Sequence, residues 1–256
     1  MHPVLFHIGP VKVFTYGVMV MLGFLAAVGY AVRSARRYGI SADTVYDVAF
    51  WGFLFGMVFA RLVFVALNPS GYETWKDVYA IWQGGLSFHG GLAGGVLGGL
   101  LCSRMRKLPV ARLMDIAAPA IAVAYGIGRI GCLLNGCCYG HACDLPWAMR
   151  FPDLIKAGAL TPPSHPTQIY SALAGFLMFG LLVWLDRRPH TPGRTFAWFV
   201  SFYAVYRFIV EFFRVGATAQ VTAGGLTQAQ WASVVMFIGA VIAVILLRNG
   251  RHRGPE

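Results

Sequence analysis

Charge is what this sequence has least of. Only 12% of its 256 residues are Asp, Glu, Lys or Arg, and just 10 are acidic. A soluble domain carries about 25% charged residues, so a water-facing globule is excluded. Also missing is a basic segment followed by a small-residue cleavage site. The opening stretch "MHPVLFHIGPVKVF" is therefore expected to stay on the chain rather than be removed as a secretory signal. No Cys-x-x-Cys pair occurs, and with it goes the usual mark of a thiol–disulfide enzyme. Tandem repeats and low-complexity tracts are absent as well.

What is present is apolar surface, at 57% of the residues. Runs long enough to cross about 30 Å of hydrocarbon recur along the whole chain. They predict seven spans, at 12–32, 46–66, 86–103, 112–131, 167–185, 194–213 and 229–247, the third short and glycine-rich. The net charge of +11 sits mostly in four short connections, "RSARRYG", "RMRKLPVAR", "DRRPHTPGR" and "RNGRHRG". Basic short loops mark the cytoplasmic side, so the charge signals topology and attraction to anionic lipid, not nucleic acid. The N-terminus then lies outside and the C-terminus inside. External segments keep only Lys12, Lys76, Arg129, Arg150, Lys156 and Arg214 of the 21 basic residues. The sequence thus predicts an all-α integral membrane protein, one polytopic domain over 1–256 with an external arm at 132–166. A second external loop near 68–82 carries "NPSGYETWKD". Inserts of such length are often lids or substrate guides.

Ionisable side chains inside a span are costly, which makes them site candidates. "SFHGGLAGG" sets His89 at the external start of the third span among glycines that either serve helix packing or admit a headgroup. "YGIGRIG" puts Arg129 at the external end of the fourth, where its five-donor fork suits a phosphodiester. "YAVYRFIVEFFR" places Tyr203, Arg207, Glu211 and Arg214 at offsets of four, four and three, one stripe of the sixth helix, with Arg207 and Glu211 expected to pair. Tyr16 stands near the external start of the first span, a position the aromatic belt also explains. Three arginines, a histidine and tyrosines at one depth point to an anionic lipid headgroup as substrate. An anionic-lipid transporter or scramblase would use the same residues.

"GRIGCLLNGCCYGHAC" holds four of the five cysteines. The spacing of Cys132, Cys137, Cys138 and Cys143 does not complete a structural zinc pattern, so no metal is expected. A structural disulfide facing an oxidising compartment is the preferred reading, with Cys138 and Cys143 as one pairing. A quinone-linked thiol oxidoreductase is the remaining rival.

"YGVMV", "SFHGGLAGG", "GRIGCLLNGCCYG", "HPTQIY" and "YRFIVEFFR" occur in the order and spacing of bacterial prolipoprotein diacylglyceryl transferases, which the chain resembles over nearly its whole length. That resemblance implies a bundle of seven spans with small periplasmic arms in the bacterial inner membrane, its active site opening outward. The enzyme would take phosphatidylglycerol and a prolipoprotein, move the diacylglyceryl group to the lipobox cysteine thiol, and leave glycerol phosphate. The family signature reads G-R-x-G-N-F-x-N-x-E-x-x-G. Gly128, Arg129, Gly131, Asn135 and Gly140 match it, whereas Cys132, Leu133 and Cys137 replace Asn, Phe and Glu. On this reading His89 accepts the thiol proton and Arg129 and Arg207 hold the phosphodiester. Glu211 orients Arg207, while Tyr16, Tyr203, Asn135, Gly140 and Arg214 complete the headgroup site. No cofactor or nucleotide is called for.

Overall fold

The apolar runs become helices because nothing else satisfies backbone polar groups in hydrocarbon. In the computed structural model the described residues are 3–9, 11–69, 78–79, 84–153, 158–215, 221–222 and 224–249. They form seven α-helices: α1 Thr15–Ala35, α2 Ala42–Leu67, α3 Phe88–Met105, α4 Val110–Asn135, α5 Thr167–Asp186, α6 Arg194–Glu211 and α7 Gln228–Asn249. Five of these, α1, α2, α4, α5 and α7, are long and apolar enough to cross a membrane. Most of the "NPSGYETWKD" loop and the "GRHRG" tail lie outside the described residues, as do Lys76 and Lys156.

Two differences from the sequence reading stand at the ends of helices. Residues 12–14 are not helical. They belong to an antiparallel hairpin, β1 Val4–Ile8 and β2 Val11–Phe14, turned at Gly9 with φ +58°. Its alternating Val-Lys-Val-Phe fits a pleated strand, so the fold is helical with a small β-element. The sixth helix stops at Glu211, where the chain enters a turn, and Arg214 lies beyond it.

The chain forms two compact units, one of residues 1–30 with 114–256 and one of residues 31–113. In the smaller, α3 packs on α2 backbone to backbone. A Cβ on Gly90, Gly94 or Gly98 would come within 2.5 Å of the carbonyl oxygens of Phe59, Phe55 and Trp51 respectively, one per helical turn. Gly52 and Gly56 of α2 return the contact against Gly95 and Gly91. The glycines of "HGGLAGG" are therefore a packing face, the small-residue association typical of membrane helices. Gly94→Val lowers stability by about 2 kcal/mol through overpacking, read as a drop in thermal midpoint in detergent. Gly99→Ala, where the nearest side chain is 3.9 Å away, leaves it unchanged.

In the larger unit α6 packs against both α5 and α7. Ala122, Met178 and Leu182 form its buried centre, surrounded by Tyr125, Trp198, Phe202, Tyr203 and Tyr206. Asp115, fully buried on α4, accepts from the backbone N–H of Gly193 at 2.7 Å and of Phe196 at 3.1 Å. A carboxylate there caps the start of α6 and complements its dipole. His190 lies between Asp186 and Asp115, and the hydrogen bond to Asp186 raises its pKa. This cluster fixes the end of α6 opposite to Arg207.

Candidate active site

The polar end of the larger unit is assembled from the starts of α1 and α5, the ends of α4 and α6, and the arm. Arg129 lies on α4 within two turns of its end and stacks its guanidinium over the Tyr125 ring, 4.9 Å from the centroid. That pair is an i, i+4 contact on one helix face, worth about 1 kcal/mol as a cation–π interaction. Tyr125 in turn meets Tyr203 edge-on at 5.9 Å and gives its hydroxyl hydrogen to Tyr206 at 3.0 Å. Tyr206 donates to Ser171 of α5, which donates to the Thr167 carbonyl at 2.6 Å. Three helices, α4, α5 and α6, are thus tied by hydroxyls beneath the arginine.

Arg207 and Glu211 form the expected ion pair one turn apart on α6. Glu211 is 3% exposed and takes a second, longer bond from Thr227 Oγ1 at 3.4 Å. Burying one carboxylate beside a guanidinium is tolerable; leaving it alone there is not. Arg214 is not on that helix. It pairs with Gly140 of the arm in an isolated antiparallel bridge, and its Nε is buried without a partner among the described residues. A Cβ on Gly140 would sit 2.1 Å from the Phe213 carbonyl oxygen, so only glycine lets the arm lie this close to the segment carrying Arg214.

The charges of Arg129, Arg207 and Arg214 all act on the Tyr203 hydroxyl. Those of Arg129 and the thiols of Cys132, Cys137 and Cys138 act on Tyr16. Six of the nine sequence-chosen residues, Tyr16, Arg129, Tyr203, Arg207, Glu211 and Arg214, are thereby linked, Gly140 is bridged to Arg214, and Asn135 is the last residue of α4. Arg207 is compensated by Glu211, whereas Arg129 and Arg214 add positive charge at this end of the unit, which favours an anion. His89 belongs to the other unit, exposed in the first turn of α3 behind the Ser87 cap and edge-on to Phe88 at 5.6 Å.

The cysteines depart from expectation. All five are free, and Cys138 is not bonded to Cys143. Gly136 and Cys138 both have positive φ, +76° and +65°, and turn the chain sharply after α4. The turn brings the sulfurs of Cys132, Cys137 and Cys138 within 4.8 Å of one another, whereas Cys143 is held on the arm by its N–H to the Pro163 carbonyl. A non-glycine residue at φ +65° costs about 1 kcal/mol. Two residues offset that cost: Thr167 donates to the Cys138 carbonyl at 2.6 Å, and Gln168 donates to the Cys137 carbonyl at 2.7 Å. Hydrogen bonds from the Cys132 and Cys137 thiols, then the charges of Arg129 and Arg214, pull the Cys138 thiol well below the usual thiol range.

Residues the sequence reading missed are Tyr125, Tyr206, Thr167, Gln168 and Ser171. The signal for Tyr125 was its place four residues before Arg129, and for Thr167 and Gln168 the polar pair opening an otherwise apolar span.

The model of the family described as prolipoprotein diacylglyceryl transferase matches residues 3–246. A relative named phosphatidylglycerol–prolipoprotein diacylglyceryl transferase in Geobacter sulfurreducens is 37% identical over 262 residues, covering 99% of this chain and 97% of its own. Relatives of the same name in Bordetella avium and Clostridium tetani are 34% and 32% identical, covering 99% of this chain and 97% and 99% of theirs. With a match of that length and the arginine-lined site in place, the chain belongs to the prolipoprotein diacylglyceryl transferase family.

Proposed function

We propose that this protein moves the diacylglyceryl group of phosphatidylglycerol onto the lipobox cysteine thiol of a prolipoprotein, releasing glycerol phosphate. It does so as a seven-span protein of the bacterial inner membrane, N-terminus outside and C-terminus inside, with residues 132–166 as an external arm and the site opening to the periplasm. The single observation that carries the reading is the surplus of guanidinium at this end of the unit: Arg129 stacks on Tyr125, which meets Tyr203; Arg207 lies one turn from Tyr203 and pairs with Glu211; and Arg214 is bridged to the arm at Gly140. A phosphodiester matches that surplus charge, and a phosphate monoester leaving group gathers more negative charge as its bond breaks. Guanidinium donors fixed in advance favour that late charge over the ground state.

The roles follow from the chemistry. Arg129 and Arg207 hold the phosphate, and Arg214 offers it an unspent buried N–H. Glu211 holds Arg207 in place. Tyr203, Tyr16 and Asn135 hydrogen-bond the headgroup, and Gly140 keeps the arm seated. His89 accepts the proton of the incoming thiol, imidazole being the side chain that titrates nearest neutrality. Ionising a thiol of pKa about 8.5 at neutral pH asks for about 2 kcal/mol.

The test is release of glycerol phosphate from phosphatidylglycerol by the purified protein, with and without a lipobox peptide. Release only when the cysteine peptide is present is the expected result; lipid movement without release would mark a transporter instead. In the same assay His89→Gln lowers turnover about thirtyfold, the factor that 1.5 pKa units of thiol ionisation represent. An unchanged rate removes His89 as the base.

A further inference from the structure

The three clustered thiols have no part in the roles above, and their geometry asks for one. Cys137 and Cys138 sulfurs stand 3.7 Å apart, and both pairs to Cys132 lie within 4.8 Å. A disulfide needs about 2.05 Å, and adjacent residues, with Cα atoms about 3.8 Å apart, fall short of the roughly 4.4 Å that its geometry requires. Three sulfurs around a tetrahedral zinc at about 2.3 Å each lie about 3.8 Å from one another, the spacing seen between Cys137 and Cys138. The supporting contacts are of the kind that hold metal ligands: Thr167 and Gln168, both buried, fix the two carbonyls of the turn. Cys132 is buried whereas Cys137 and Cys138 are partly exposed, so the cluster is closed on one side and open on the other. A trio of cysteines with an open position is the ligand count of a catalytic rather than a structural zinc.

We propose that Cys132, Cys137 and Cys138 bind a soft divalent cation of the zinc class, and that its fourth position takes the thiol of the acceptor cysteine. This rests on the transferase reading. On coordination the thiol loses its proton to water. The bound sulfur then attacks the glycerol carbon bearing the phosphate. A C–S bond forms, the C–O bond breaks with its electron pair going to the phosphate oxygen, and glycerol phosphate leaves. The thioether product is a weak ligand and water displaces it, with no change in the oxidation state of the metal. A metal here would depart from the sequence expectation of none, which rested on the spacing of the cysteines and not on the turn that gathers them.

The experiment uses the full chain in nanodiscs containing phosphatidylglycerol. Zinc is loaded and counted by mass spectrometry of the metal, and cobalt is then substituted as a coloured reporter. One zinc per chain is expected, with a sulfur-to-cobalt absorption band that shifts when a cysteine lipobox peptide is added and stays still with its serine counterpart. Stripping the metal with a chelator lowers transfer about a hundredfold, and zinc restores it. Cys137→Ser lowers zinc occupancy at least tenfold and transfer with it. Transfer that persists at full rate without metal, or a chain that takes up no zinc, overturns the proposal and leaves the transferase reading intact. A cobalt band indifferent to the cysteine peptide overturns the acceptor-thiol role. A chain that binds zinc yet releases no glycerol phosphate under any condition overturns the transferase reading itself. The wild-type measurements stand even where the serine variant does not fold.

Discussion

Arg207→Gln lowers diacylglyceryl transfer about a thousandfold, the upper range for losing one fixed donor to a developing oxyanion. Two effects are mixed in that variant and have to be separated. Glu211 is 3% exposed and ion-paired to Arg207, so removing the arginine alone strands a buried carboxylate at a cost of about 3–5 kcal/mol. Instability would then imitate lost chemistry. The double variant Arg207→Gln with Glu211→Gln removes both charges and keeps the amide–amide volume, so thermal stability returns toward wild type. Turnover stays down about a thousandfold, because the phosphate has lost one of its fixed guanidinium donors. Recovery of turnover along with stability would mean that the pair is structural. Glu211→Gln alone, which leaves the cation free to wander, lowers kcat about tenfold with little effect on KM for lipid.

Arg129→Lys keeps the charge and loses the fork, together with the flat face that lies on Tyr125 at 4.9 Å. Lysine is a point charge with no fixed pair of donors, so the expected loss in kcat/KM is about a hundredfold. The partition between the constants is informative. Binding of the ground-state diester needs mainly charge, so KM for phosphatidylglycerol rises only about threefold, and the rest of the loss falls on kcat. Initial rates over a range of phosphatidylglycerol mole fractions measure both. A variant with wild-type kcat and a raised KM would confine Arg129 to holding the lipid. Tyr125→Leu, which removes the platform but not the arginine, follows Arg129→Lys in direction at smaller size.

The helices were legible because hydropathy is a sum over some twenty residues, and no local detail overturns it. The Arg207–Glu211 pair was legible for a related reason: four-residue spacing on a helix leaves two opposite charges no cheaper arrangement. Arg214 was misplaced because "EFFR" continues the periodic pattern, and only the turn at Phe212 and Phe213 shows that the helix has ended. The hairpin at 4–14 went unseen since two strands of five and four residues give too few alternations to stand out beside a span. The thiol trio lay deeper still. Cysteines five and six residues apart signal nothing until Gly136 and Cys138 both turn left-handed, a choice made by Thr167 and Gln168 from another helix. Asp115 was invisible as a cap because its partners, Gly193 and Phe196, are 78 and 81 residues away.

The glycine seam between α2 and α3 has a consequence for biogenesis. Six of the eighteen α3 residues are glycine, and α3 is not among the helices long and apolar enough to cross a membrane. A segment of that composition leaves the translocon poorly when alone, since glycine contributes little transfer energy and exposes its peptide groups. Docked on α2 it hides those groups against a neighbour already committed to the bilayer. On the seven-span reading the two partition together as a helical hairpin, and α3 presented without α2 is expected to slip back into the aqueous phase.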